Sequence, residues 1–192
     1  MKFKLSDICY YVKGKINISE LYNSTYISTE NMLPEKGGVT EASVLPTMIQ
    51  TQIYENGDVL VSNIRPYFKK IWHANQNGGC SNDVLVFRAK EGVDSEFLYY
   101  VISDDAFFDY SMATSKGTKM PRGDKDALME FEVPNFDINI QKKVASILGR
   151  IDEKIRINKK INKNFSFYRH EQKGSLLHLR DMAILLRTSP PY

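Results

Sequence analysis

The sequence predicts an α/β (α+β) fold: a globular domain over residues 1–134, a long coiled-coil-forming helix over 137–165, and a tail of different character over 166–192. Three observations predict it. From Asp137 to Phe165 the apolar residues Ile140, Val144, Ile147, Leu148, Ile151, Ile155 and Ile161 recur at i, i+3, i+4, i+7 spacing, which lines one face of a helix. Upstream, short apolar runs bounded by Gly and Asn read as strands, among them VLVSNI from Val59 and DVLVFR from Asp83. Between them and the long helix, Phe97, Leu98, Val101 and Ile102, then Phe107, Phe108 and Met112, form buried faces of two short helices. Asp94 or Ser95 opens the first, and Ser103-Asp104 interrupts it and caps the second.

In chain order, Phe3 to Tyr11 is an opening segment with a short helical turn capped by Ser6 or Asp7. Lys13 to Glu20 reads as loop, and Tyr26-Ile27-Ser28 as a short strand. Thr29 to Ser43 is a polar loop containing Pro34 and Gly37-Gly38. Asn56-Gly57-Asp58 is a turn signal launching Val59 to Ile64, whose partial alternation fits a half-buried strand. Ile71 to Ala74 continues as strand, Gly78-Gly79 reads as a turn, and Ser81 to Arg88 as a further strand. Leu128 to Pro134 alternates as a last strand. Asp137 is placed to cap the long helix behind Pro134.

That helix would extend roughly 44 Å at ~1.5 Å per residue. Three seven-residue ladders run along it: Ile140–Ile147–Lys154–Ile161, Val144–Ile151–Asn158–Phe165 and Leu148–Ile155–Asn162. Heptads of this kind wind helices around one another, and Asn at the seam fixes register. The opposite face carries Lys142, Lys143, Arg150, Lys154, Arg156, Lys159, Lys160 and Lys163.

The 192 residues are 42% hydrophobic and include eleven Tyr and ten Phe, enough for a real core. Two distant cysteines, Cys9 and Cys80, provide neither a disulfide framework nor zinc spacing. No apolar run reaches the ~20 residues of a membrane span, and the first twenty residues lack signal-peptide character. A reducing, cytoplasmic setting follows, with no membrane contact. The net charge of +3 conceals a polarity: residues 1–136 carry 14 Lys+Arg against 18 Asp+Glu, whereas 137–165 carry 8 against 3.

Within the acidic first part, two windows contain no acid. One runs from Val59 to Asn82 and holds Asn63, Arg65, Tyr67, Lys69, Lys70 and His73, with Phe68 and Trp72 interleaved. The other, SMATSKGTKMPRG from Ser111, holds Lys116, Thr118, Lys119 and Arg122. Basic side chains mixed with aromatic rings suit phosphate contact combined with stacking or base-edge contact. The second window lacks GxxxxGK[ST] spacing, which excludes a nucleoside-triphosphate loop. The candidate DNA-facing residues are therefore Asn63, Arg65, Tyr67, Lys69, Lys70, Lys116, Thr118 and Lys119.

Other motifs carry no chemistry. Ser189-Pro190-Pro191-Tyr192 matches a signature of base amino-methyltransferases, but no Gly-rich adenosylmethionine loop follows a strand. Asp152-Glu153-Lys154 imitates part of a nuclease motif on what spacing makes a solvated helix face. His73, His170 and His178 have no metal-ligand spacing.

Taken in order, GDVLVSNIRPYFKKIW, GGCSNDVLVFRAK, FLYYVIS, TSKGTKMPRGD and FEVPNFDINIQKKVASILGRIDEKIRINKKINKN resemble a specificity subunit of type I restriction–modification systems over Met1 to about Asn164. The resemblance implies a target-recognition domain that reads double-stranded DNA, followed by a conserved helix. Family subunits usually carry two such units, and this chain holds one. The resemblance further implies a non-catalytic chain without cofactor. Partner methyltransferase (M) subunits would use adenosylmethionine on adenine, and a restriction (R) subunit would use ATP and Mg. A homodimer through the long helix would restore the two-unit arrangement. Two other readings stay open at this point: a self-contained DNA-modifying enzyme, and a regulatory or decoy remnant that occupies the methyltransferase subunit without reading DNA.

Overall fold

In the computed structural model the described residues are 3–187, with side chains described through Asn162. Two compact units emerge, Met1–Ala145 and Ser146–Tyr192.

The first unit is organised around one four-stranded antiparallel sheet, in the order β2 (Cys9–Tyr11), β9 (Val84–Ala89), β6 (Val59–Ser62), β7 (Ile71–His73). Period-2 geometry sends alternate side chains to opposite faces. Val59, Val61, Ile71, Leu85 and Phe87 meet Leu98, Ile102, Phe107 and Phe108 of helices α2 (Ser95–Ser103) and α3 (Asp105–Ala113). Leu60, Val84 and Val86 meet Ile27, Tyr54 and Cys80 of a second sheet. β6 is thus buried along its whole length rather than half-buried. The sequence shows weak alternation there because both faces are covered.

The second sheet runs β3 (Lys15–Asn17), β5 (Gln50–Tyr54), β8 (Gly78–Cys80), β4 (Tyr26–Ile27), antiparallel except for β4 on β8. Three of its features differ from the sequence reading. Lys13 to Glu20 contains β3 and a 3-10 turn, and β5 emerges in a stretch without strand alternation. Gly78-Gly79 is not a turn but the centre of β8. A Cβ on Gly78 would sit 2.1 Å from the Thr25 carbonyl oxygen, and one on Gly79 2.6 Å from Leu21 Cδ1. These glycines answer to crowding rather than to chain reversal.

The later helix starts follow the capping logic, whereas the opening turn Leu5–Ile8 begins behind Lys4 and holds the expected caps Ser6 and Asp7 inside it. Asp94 accepts from the Phe97 N–H and Asp104 from the Ala106 N–H. The segment before the long helix is shorter as strand than expected: α4 (Lys125–Met129), capped by Asp124, occupies its beginning. Only β10 (Glu132–Val133) pairs, antiparallel with β1 (Phe3–Lys4). This ribbon closes the domain by joining its first residues to its last. α1 (Leu5–Ile8) follows β1, with Leu5 and Ile8 in the core.

Asp137 caps α5 (Ile138–Arg187), its carboxylate accepting from the Asn139 and Ile140 N–H groups. α5 continues past the Phe165 end expected from sequence and through the region of the tail. Its first turns belong to the globular unit. Gln141, 5% exposed, accepts from the Asp94 N–H at 2.9 Å and donates to the Phe136 carbonyl at 2.8 Å, and Ala145 is buried beside it. The compact unit therefore extends to Ala145 rather than stopping at Pro134. The Ser189-Pro190-Pro191-Tyr192 motif lies outside the described residues, as does the Phe165 side chain.

Candidate nucleic-acid interface

β6 hands the chain to a loop whose backbone is unusual for its sequence. Pro66–Phe68 is a single 3-10 turn, flanked by Arg65 (φ 51°, ψ 64°) and Lys69 (φ 49°, ψ 45°), both left-handed. A non-glycine residue there costs of order 1 kcal/mol, so the surroundings must impose it. They do so through the backbone. The Phe68 and Lys69 N–H groups donate within the turn, to the Arg65 and Pro66 carbonyls at 3.0 and 2.8 Å. The Lys70 carbonyl accepts from the Ser62 N–H at 3.1 Å, and the Arg65 N–H donates to the Pro121 carbonyl at 2.8 Å.

That last bond joins the two acid-free windows. In the second, Lys116 and Arg122 exchange both backbone hydrogen bonds, at 2.9 and 3.0 Å, closing a tip that contains Gly117 (φ 92°), Thr118 and Lys119. Gly123 donates to the Asn63 carbonyl at 3.3 Å, and a Cβ there would come within 2.8 Å of Ser111 Oγ. Some fifty residues apart in sequence, the windows form one edge. A third loop completes it: the Glu35 and Lys36 N–H groups donate to the Phe68 and Lys69 carbonyls, both at 2.9 Å. Glu35 and Lys36 are also left-handed, at φ 53° and 57°. The sequence marks Thr29 to Ser43 as a loop but gives no signal for its left-handed Glu35 and Lys36 or for this contact, since neither residue type favours positive φ.

The windows are acid-free in sequence but not in space. Lys69 pairs with Asp105 at 3.1 Å and Lys36 with the same carboxylate at 2.7 Å. Lys116 pairs with Asp124 at 2.5 Å, and Arg122 with Asp83 at 3.0 Å. Hydrogen bonding to these partners raises Lys69 and Lys116 above the ordinary lysine value and lowers Asp105 and Asp124 below the ordinary carboxylate value. Lys70 is drawn inward, its ammonium donating to the Thr29 carbonyl at 2.6 Å and lying 5.8 Å from the Phe68 ring centroid. Of the predicted contact residues, Thr118 and Lys119 are exposed and make no hydrogen bond or ion pair among the described residues. Tyr67 and Phe68 are exposed at 46% and 37%, with ring centroids 4.6 Å apart. Asn63 is 8% exposed, and its Oδ1, like Arg65 Nε, is buried without a partner.

On α5 the predicted seam is bare. Ile140, Ile147, Ile151, Ile155 and Ile161 are 42–60% exposed, while Val144 and Leu148 are half-buried. Asp152-Glu153-Lys154 lies on an exposed stretch, where Glu153 pairs with Arg156 at 2.6 Å. Cys9 and Cys80 are buried, and burial pushes both thiols up to about 12. Among the described residues no group of three His, Cys, Asp or Glu is placed to hold a metal ion, and no helix is long and apolar enough to cross a membrane.

Comparison with known proteins places this geometry in a family. Residues 1–164 match the family described as type I restriction modification DNA specificity domain. The type I restriction enzyme MjaIX specificity subunit of Methanocaldococcus jannaschii is 30% identical over 145 residues, covering 73% of this chain and 31% of that subunit. The EcoDI specificity subunit of Escherichia coli is 30% identical over 81 residues, covering 42% of this chain and 18% of that subunit. Among solved structures, the HsdS subunit from Thermoanaerobacter tengcongensis shares the fold with a TM-score of 0.65 at 19% identity, over 84% of this chain and 44% of that one. The S subunit from M. genitalium does so at 0.53 and 19%, over 81% and 40%. The chain thus spans about a third of the first relative's length and less than half of either solved subunit. With 164 consecutive residues matched, this chain belongs to the type I restriction modification DNA specificity domain family.

Proposed function

We propose that this chain is a recognition subunit that reads half of a split duplex DNA site for a type I restriction–modification complex. The observation that carries the reading is the backbone joining of the two windows, Arg65 N–H to Pro121 carbonyl at 2.8 Å. It supports reading Arg65, Tyr67, Lys69, Lys116, Thr118 and Lys119 as one DNA-facing edge in a chain of this family, with Asn63 buried and Lys70 turned inward behind it. The paired lysines fit this role, because their ion pairs are solvent-accessible and exposed pairs are held weakly. Phosphates exchange with such carboxylates, and release of DNA counterions favours the exchange.

The chain itself would be non-catalytic. Methyltransferase subunits would bring adenosylmethionine to an adenine flipped out of the duplex, and a restriction subunit would bring ATP and Mg, all in the cytoplasm. The bare Ile147–Ile151–Ile155–Ile161 face of α5 supports homodimerisation: a twofold axis buries that face against its own copy. Two equal recognition domains would then read inverted repeats.

The test is to map adenine methylation in DNA from cells carrying this chain with its partner methyltransferase. Methylation at one bipartite inverted repeat, lost when the chain is deleted, is the expected result. An unchanged methylation map on deletion would overturn the reading.

A further inference from the structure

The loop singled out as basic presents a different chemistry at its tip. Its lysines are turned back onto the protein, Lys69 to Asp105 at 3.1 Å and Lys70 to the Thr29 carbonyl at 2.6 Å. What remains outward is apolar. Tyr67 and Phe68 are exposed at 46% and 37%, and Met120 is exposed at 47% beside Pro121, whose carbonyl holds the Arg65 N–H. The finger is also fixed. Pro66 is buried, left-handed residues bracket the turn, and the Phe68 and Lys69 carbonyls accept from the neighbouring loop at 2.9 Å. A rigid aromatic group on a polar interface loses little freedom on binding, so its contact energy is retained.

Resting on the recognition reading above, we infer that the Pro66–Phe68 finger, with Tyr67 at its tip, reads the methyl group of a thymine in the major groove. The chemistry selects this ligand. Base edges in the grooves display hydrogen-bond donors and acceptors throughout, and the thymine C5 methyl is their apolar group. A phosphate could take the Tyr67 hydroxyl but not the ring faces of Tyr67 and Phe68, 4.6 Å apart, so the Tyr67→Phe variant separates the two ligands. Thr118 and Lys119, exposed and free on the adjoining tip, supply the sequence-independent backbone contact instead.

The experiment uses the full chain and 30-base-pair duplexes. A sequence enriched from a random pool is compared with a random duplex across a salt series. In the enriched duplex, replacing the contacted thymine by uracil should weaken wild-type binding about 5-fold or more. Tyr67→Ala should lose about 10-fold in affinity for the enriched duplex, of the order of one aromatic–base contact. It should become indifferent to the thymine-to-uracil change and keep its salt slope. Tyr67→Phe should behave as wild type. Lys119→Ala should reduce the salt slope by about 1 and weaken both duplexes alike. The inference is overturned if Tyr67→Ala remains sensitive to every thymine-to-uracil change, if its salt slope falls, or if Tyr67→Phe loses the same discrimination. If the wild-type chain enriches no sequence at all, the recognition reading fails, and this one with it.

Discussion

At Gly78 and Gly79 the backbone of β8 runs so close to its neighbours that no side chain fits. The Thr25 carbonyl oxygen would lie 2.1 Å from a Cβ on Gly78, and Tyr54 Oη 2.5 Å from it. Neither neighbour can withdraw, because Tyr54 is fully buried and its hydroxyl donates to that same Thr25 carbonyl at 3.0 Å. Gly78→Ala should therefore cost about 3 kcal/mol, the upper part of the range for overpacking a filled core. Urea unfolding of the variant would show it as a lower midpoint at unchanged slope, and a loss under ~0.5 kcal/mol would refute the crowding argument. Asp58 illustrates the same scale in charge. It is 1% exposed, accepts both guanidinium bonds of Arg88 at 2.8 Å, and takes the Glu55 N–H at 2.7 Å. The guanidinium–carboxylate hydrogen bonding with Asp58 drives the Arg88 pKa above its ordinary value. Asp58→Ala removes the buried partner of a half-buried guanidinium and leaves it only the exposed Glu55 carboxylate at 3.1 Å, for which a loss of about 3 kcal/mol is expected in the same assay.

At the scale of elements, the junction between β10 and α5 holds the first turns of the long helix to the domain. Asp137 caps α5, and four residues later Gln141 bonds both the Phe136 carbonyl and the Asp94 N–H at the start of α2. Phe136 packs edge-on against Phe97, with centroids 6.0 Å apart. One amide thus ties two helix beginnings together. Gln141→Ala leaves the Asp94 N–H and the Phe136 carbonyl without these partners, which should lower stability by about 2 kcal/mol. The Ile147–Ile161 face should still associate, since Gln141 points to the domain while those isoleucines are exposed. Sedimentation and urea unfolding measured on the same variant separate the two effects. Loss of self-association together with unchanged stability would contradict this division of labour. The seam was legible because 3.6-residue periodicity survives without tertiary context. The Gln141 anchor was not, because a glutamine between Ile140 and Lys142 reads as surface.

For the whole molecule, the homodimer proposed through α5 would make the helix a ruler between two recognition domains. Deleting one heptad, Ile147 to Glu153, keeps the seam in phase and removes ~10 Å of rise, equivalent to ~3 base pairs at ~3.4 Å each. Methylation mapped with the partner methyltransferase should then move to a site with a spacer about 3 base pairs shorter, or stop. Continued methylation at the original spacing by a variant that still dimerises would end the ruler model. The sequence by itself determined the mixed fold, the caps at Asp104 and Asp137, a cap at Asp94 or Ser95, the two core helices and the apolar stripe of the long helix. Each of these rests on near-neighbour geometry, and hydrogen-bond spacing or helical period is written within a dozen residues. It also marked the two windows as a pair of interest. Only the tertiary structure decided that Pro121 meets Arg65, and that Asp105, Asp124 and Asp83 reach in to pair Lys69, Lys116 and Arg122. It likewise decided that Gly78 and Gly79 lie within a strand and that β6 is covered on both faces. Charge and crowding act through space at a few ångströms, and such distances are set by which segments pack together, not by their separation along the chain.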